Sequence, residues 1–219
     1  MIKISEVVVE IVHSSEIAST ALRKGYLNLS AYAKSIKDQV EDKCKKPVKL
    51  GSIVVALSRL PVSLKGQPPL LPNVVIEDLT IKSPLVEITF DKTRENLHRL
   101  RELYRDIRLR STDFLTVTHG VGEITIVAAE DAQQKILEIY ESQKPKAIIN
   151  NLVGLTVRYG DRYIEEPNVI YTLLKGIAVK RINIVEIIST YTELTFILDR
   201  SNLQEVFLTL NEIFQKSKI

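Results

Sequence analysis

The sequence has one cysteine, one methionine, no tryptophan and three histidines in 219 residues. A lone thiol, Cys44, excludes an internal disulfide framework and fits a reducing, cytoplasmic compartment. No run approaches the ~20 consecutive apolar residues that a membrane-spanning helix requires, so no membrane partner is expected. The opening Met1-Ile2-Lys3-Ile4-Ser5-Glu6 places an acid early and offers no small-residue cleavage site, unlike a secretory leader. His13, His98 and His119 are distant from one another and from Cys44, so zinc-ligand spacing is missing. Gly120-Val121-Gly122 precedes neither a helix start nor a lysine, which excludes a phosphate-binding loop. No catalytic residue, cofactor or metal is therefore expected. Lys43, Lys45 and Lys46 would favour the Cys44 thiolate. Position 44 nevertheless continues an apolar stripe, and a buried structural thiol is the reading taken.

What is present is an ordinary globular composition, 45% apolar and 26% charged, with a net charge of +3. The charge is uneven. Residues 1–66 hold eleven Lys and Arg against six Asp and Glu, whereas acids slightly outnumber bases in the remainder. A basic N-terminal segment is thus joined to a near-neutral body. The junction is Leu60 to Pro72, which holds four of the eight prolines. Proline fixes φ and removes a backbone donor, so this stretch is read as an extended linker.

Before the linker the pattern is helical. Ile4, Val7, Val8 and Ile11 mark a first helix. Ser14-Ser15-Glu16 caps a second, which ends near Gly25. Asn28 or Ser30 caps a third, with Ala33, Ile36, Val40 and Cys44 inward. Pro47 is placed in the first turn of a fourth, whose inward stripe is Leu50, Ile53, Val54 and Leu57.

After the linker the period changes. Leu85–Phe90 is a strand rich in β-branched residues. Thr93–Ile107 is a helix with Leu97, Leu100, Leu103, Tyr104 and Ile107 on one side. Phe114–Thr118 and Glu123–Ala128 form a hairpin through the glycines at 120 and 122, and a helix starts at Asp131 with Ile136, Leu137 and Tyr140 inward. The order then repeats: strand Leu152–Tyr159, helix Pro167–Val179, strands Asn183–Tyr191 and Glu193–Asp199, and a helix Ser201–Gln215 capped by Ser201. The segments Glu123–Val127 and Glu193–Ile197 fall 70 positions apart. Repetition of a whole βαββα unit predicts two like domains.

The second copy, Gly176-Ile177-Ala178-Val179-Lys180-Arg181-Ile182-Asn183-Ile184 leading to Ile188-Ser189-Thr190 and Glu193-Leu194-Thr195-Phe196-Ile197, is similar to the regulatory ACT region of aspartate kinases. The first copy resembles it by pattern only. One departure stands out, because Arg181 replaces the turn glycine usual before Ile-Asn. The resemblance implies an α+β fold with an all-helical segment over 1–62, a Pro-rich linker over 63–73 and two ferredoxin-like (βαββαβ) ACT domains over 74–149 and 150–219. It implies a regulatory chain without a kinase domain, a homodimer, and a small-molecule ligand, an amino acid by family analogy. Carried over by position, the ligand residues are Gly160, Asp161, Arg162, Tyr163, Asn183 and Ile184. A helix N-terminus holds a carboxylate, and an Asp or amide oxygen accepts from an ammonium group. The loop is bulkier and more charged than the glycine-rich loops of the family. The plainer alternatives are that Asn183 only ends a helix and that Asp161 and Arg162 only pair with each other in solvent.

The basic segment admits two readings. As a helix-turn-helix it would bind DNA through Lys43, Lys45, Lys46, Lys49, Ser52 and Arg59. As a helical docking or dimerisation module it would bury the apolar run Ile53-Val54-Val55-Ala56-Leu57, which is poorly suited to a base-reading helix. A ligand-free structural protein is the third possibility.

Overall fold

The computed structural model describes residues 3–63, 71–106, 113–141 and 143–216. The chain divides into two compact units, 1–70 and 71–219.

The first unit is four helices, α1 Ile4–His13, α2 Glu16–Arg23, α3 Leu29–Cys44 and α4 Leu50–Ser63. Their core is Val7, Val8, Ile11 and Val12 of α1, Ala33, Ile36, Val40 and Cys44 of α3, and Ile53, Leu57 and Leu60 of α4. Two caps explain the helix starts. Ser15 Oγ accepts from Ala18 N–H, and Asn28 Oδ1 accepts from Ala31 N–H, each closing a first turn that would otherwise leave donors unpaired.

The fourth helix departs from expectation at both ends. Pro47 lies before α4, not in its first turn, because the chain leaves α3 through a left-handed Lys45 (φ 53°) and Glu41 Oε1 reaches over to accept from Val48 N–H at 2.8 Å. Val48 is buried there, and the helix starts only at Leu50, which is left half-exposed. At the other end α4 runs through Pro61 to Ser63, inside the stretch expected to be extended. A proline removes a single ladder bond, and burial of Leu57 and Leu60 just before it holds the last turn. Residues 64–70 of the expected linker lie outside the described residues.

The second unit is built on one six-stranded antiparallel sheet. Its elements are β1 Ile76–Asp91, α5 Arg94–Asp106, β2 Leu115–His119, β3 Glu123–Ala129, α6 Gln133–Ile139, β4 Ala147–Tyr159, α7 Val169–Val179, β5 Glu186–Ser189, β6 Glu193–Asp199 and α8 Leu203–Lys216. The spatial order is β2-β3-β1-β4-β6-β5. The two repeats therefore share a sheet. Both central strands are longer than the sequence suggested. β1 pairs with β3 over Leu85–Asp91, while its first half, from Ile76 to Lys82, pairs with β4. β4 pairs with β6 over Leu152–Arg158, and its own start, Ala147–Ile149, pairs with β1. The N-terminal part of each long strand thus flanks the first strand of the other repeat.

Period-2 alternation assigns the faces. Val86, Ile88 and Phe90 of β1 with Ile124, Ile126 and Ala128 of β3 pack under α5 and α6, where Phe90 stacks on Tyr140 at 4.1 Å. Val153, Leu155 and Val157 of β4 with Leu194, Phe196 and Leu198 of β6 pack under α7 and α8. The opposite face carries a smaller cluster, Leu85, Val127, Leu152 and Ile197, and two matched threonine pairs. Thr89–Thr125 and Thr156–Thr195 are hydrogen-bonded at 3.1 and 2.7 Å. The hairpins match too, with Gly120 N–H bonded to Glu123 O and Thr190 N–H to Glu193 O.

Several boundaries shift for local reasons. Tyr104 is 57% exposed, because α5 turns the line Asn96, Leu100 and Leu103 inward. Ile107 lies outside the described residues. The strand expected from Asn183 covers only Glu186–Ser189; sheet bonding begins when Val185 N–H reaches Ile197 O at 2.8 Å. Helix α7 starts after Pro167, at Val169, and α8 starts at Leu203 after a 3-10 turn over Arg200–Asn202. The cap of that turn is Asp199, which accepts from both N–H and Oγ of Ser201.

Candidate ligand cleft

After β4 the chain makes a 3-10 turn over Asp161–Tyr163 and then reaches α7 through Asn168, a left-handed residue (φ 67°) whose side chain does not cap the helix. Three of the six expected ligand residues are in that turn, and Gly160 precedes it. Tyr163 is buried and its hydroxyl is fully engaged by the protein. It donates to Asn73 O at 2.9 Å and accepts from Val75 N–H and from Arg162 Nη2, both at 2.8 Å. Arg162 thus turns to Tyr163, with its guanidinium 4.7 Å from the ring centre. Asp161 is exposed. A Cβ at Gly160 would stand 2.9 Å from Glu77 Oε1, so the glycine lets Glu77 close against the turn.

Asn183 and Ile184 lie elsewhere. They follow the end of α7 and precede β5, whose first residue, Glu186, is level with the Gly154–Ile197 pair, whereas the turn follows Tyr159, whose N–H bonds Thr192 O. Five residues of strand separate the two levels, about 16 Å at ~3.3 Å per residue. The six residues do not converge within one copy of the unit. Asn183 is exposed and Ile184 half-buried against the α7–α8 core. Helix α7 is ended by Arg181, not Asn183. Arg181 adopts φ 57°, the conformation a glycine would hold, and its N–H bonds Ala178 O at 3.0 Å.

Beside the turn is an open cleft of about 690 Å³. Tyr159, Tyr163, Tyr171 and Tyr191 wall it with Glu166 and Ser189, and the first turn of α7 opens into it. Glu166, Tyr171 and Tyr191 were not singled out in the sequence. Their separation along the chain hides their convergence, and the only local sign was a tyrosine-rich second repeat. A second groove of about 820 Å³ runs along α7 and α8, past Lys175, Lys180, Glu205 and Leu208.

In the first unit, Lys43, Lys45, Lys46, Lys49, Ser52 and Arg59 are all exposed. Lys43 is paired with Glu10 at 2.7 Å. Ser52 and Arg59, seven residues apart, share one side of α4, the side away from Ile53, Leu57 and Leu60. Cys44 is buried among apolar side chains and is a free thiol.

No protein-family model matches the chain, and no curated protein sequence does. Solved structures do. Aspartate kinase of Clostridium acetobutylicum superposes with a TM-score of 0.53 at 14% identity, over 64% of this chain and 34% of that one. The ligand-free regulatory subunit of aspartate kinase from Thermus thermophilus superposes with a TM-score of 0.51 at 12% identity, over 65% of this chain and 99% of that one. A structure of aspartokinase α and β subunits gives 0.52 at 13% identity, over 64% and 99%. The chain spans about a third of the Clostridium enzyme but nearly all of the regulatory subunit. At these identities the likeness is one of fold, to neighbours that are ACT-type regulatory domains of aspartate kinases. Among the described residues, no helix is long and apolar enough to cross a membrane.

Proposed function

We propose that the chain is a non-catalytic regulatory protein in which two ferredoxin-like ACT halves, over 74–149 and 150–219, bind an amino acid and relay the bound state to the N-terminal helices or to a partner. The observation that carries this reading is the match to a free-standing regulatory subunit along almost its whole length. The cleft chemistry supports it. The first turn of α7 offers backbone N–H groups to a carboxylate, Glu166 offers a counter-charge to an ammonium group, and tyrosine faces offer apolar contact for a side chain. The distance between the Gly160–Tyr163 turn and Asn183 supports a homodimer, since two copies would be needed to bring one group to the other. A ligand that prefers one arrangement of such a pair shifts its population by its differential affinity.

The test is a thermal-shift and calorimetric screen of the whole chain against the proteinogenic amino acids, repeated with Asn183→Ala and Glu166→Gln. A ligand at ~100 times its Kd stabilises by about 2.7 kcal/mol. Stabilisation by one amino acid, weakened in the variants, is expected. A flat screen overturns the sensing function and leaves the repeats as a scaffold.

A second reading has one specific observation in its favour: the exposed Lys45, Lys46 and Lys49 lie in the connection between α3 and α4, with Ser52 and Arg59 along the outward side of α4. In that reading the helices bind duplex DNA and the ACT halves tune the binding. It requires salt-dependent affinity that falls when Lys45, Lys46 and Lys49 are replaced by Gln. Absence of binding at low salt rules it out.

A further inference from the structure

The face of the sheet away from the helices carries two carboxyl groups that the apolar cluster around them does not neutralise. Glu87 is on β1, between Leu85 and Thr89, and Glu186 opens β5. Thr118 of β2 donates its hydroxyl to Glu186 Oε1 at 2.9 Å. β2 and β5 are the two outermost strands of the sheet, so this bond joins edges that the strand order sets furthest apart. The sheet curls until its rims touch, and Thr118 and Glu186 are hydrogen-bonded across the contact. Beside it, Oε2 of Glu87 and Oε2 of Glu186 are both sealed from solvent and meet no hydrogen-bond partner.

Two sealed carboxyl oxygens without donors cost far less free energy if one group keeps its proton and donates it to the other. The surroundings favour that arrangement. The Cα partners of Glu87 across the sheet are Val127 of β3 and Ile149 of β4, and β2 contributes Thr116 and Thr118. β6 contributes Thr195 and Ile197 opposite β5. The other charged groups that the register puts on this face are Asp78, Lys82 and Asp91 of β1, Glu123 of β3, Arg158 of β4, and Glu193 and Asp199 of β6. None of them offsets Glu87, whose carboxyl is pushed up to about 7 by burial and then by the charge of Glu186. Glu186 Oε1 already accepts from Thr118, which leaves its Oε2 open to a proton donor.

We propose that Glu87 and Glu186 share one proton, and that this proton is a pH-sensitive clasp: with it, β5 is held across the open face to β1 and β2, and without it two facing carboxylates push the rims apart. The proton comes from solvent and returns to it, and no bond other than O–H changes. The clasp is independent of any ligand in the tyrosine cleft.

The test is a pH titration of the whole chain labelled with ¹³C at glutamate Cδ, with Glu87→Gln identifying the resonance. Glu87 is expected to titrate near neutrality and to fall back toward the ordinary carboxylate range in Glu186→Gln. Hydrogen exchange of the β5 amides, corrected for the intrinsic pH dependence, reads the clasp itself. Protection should drop at least threefold between pH 6 and pH 8.5 in the native chain. It should stay level in Glu87→Gln, where a neutral amide replaces the protonated acid. A Glu87 midpoint in the ordinary range overturns the shared proton, and pH-independent protection of β5 in the native chain overturns the clasp.

Discussion

The hydroxyl of Tyr163 and the backbone N–H of Val75, 88 residues apart in the chain, are hydrogen-bonded at 2.8 Å. The same hydroxyl donates to Asn73 O, so one side chain in the turn after β4 pins the segment that leads into β1. Tyr163→Phe would leave a backbone donor and acceptor unpaired at a half-buried place. A loss of about 1–3 kcal/mol is expected in denaturant unfolding. Asn183→Ala, at an exposed position, should change stability by less than ~0.5 kcal/mol, which makes it a clean probe of ligand binding.

Gly176 of α7 faces Thr209 of α8. A Cβ there would stand 2.7 Å from Thr209 Cγ2, and Thr209 is stiff, because it is β-branched and its hydroxyl bonds Glu205 O. Gly176→Ala gains about 1 kcal/mol of helix propensity but must push the helices apart, which costs roughly 1–3 kcal/mol. A net loss is expected in thermal unfolding. In a Thr209→Ser background the methyl is gone, and the same substitution should become neutral or stabilising, a coupling that a double-mutant cycle reads directly.

The titration of Glu87 sets a slope of stability against pH. Its folded-state value, about 7, lies above the ~4.3 of an unfolded glutamate. The folded chain therefore holds a proton that the unfolded chain gives up, and the contribution is greatest below about pH 4.3 and lost as pH rises to about 7. The full shift would correspond to roughly 4 kcal/mol; solvent screening of a partly exposed side chain reduces this to about 1–2 kcal/mol. Glu87→Gln should flatten the slope between pH 5 and 8 and stabilise the protein at pH 8.

Arg181 occupies a left-handed conformation that costs an ordinary residue about 1 kcal/mol relative to glycine. Arg181→Gly is expected to raise stability by about 0.5–1 kcal/mol without moving the end of α7. A loss would show that the arginine side chain contributes more than its backbone costs.

The order of elements was legible in the sequence because period and punctuation are local. The 70-residue echo between Glu123 and Glu193 falls at the starts of β3 and β6, the same place in each repeat. The sharing of β1 and β4 was not legible. Residues 76–82 carry mixed polarity, as a strand needs when one side is open, and nothing in their composition names a partner 72 to 83 positions away. Helical spacing puts Tyr104 on the same side as Leu97 and Leu100, whereas the helix fills its inward line with Leu100 and Leu103 and leaves Tyr104 exposed. The candidate site was legible in part. The turn after β4 could be located from Gly160, but the tyrosines around it are joined by folding alone, and the Glu87–Glu186 pair bridges residues 99 positions apart.

The long central strands also constrain how the protein comes into being. During synthesis the first repeat leaves the ribosome before β4 exists, so β1 waits with one edge unclaimed along its whole length, from Ile76 to Thr89. An unclaimed edge of that length invites pairing with another nascent chain. A message truncated after residue 145 would yield a sticky fragment, not half a sensor. Each repeat therefore completes the sheet of the other, and a gene fragment encoding one of them is expected to give a product with its longest strand edge bare.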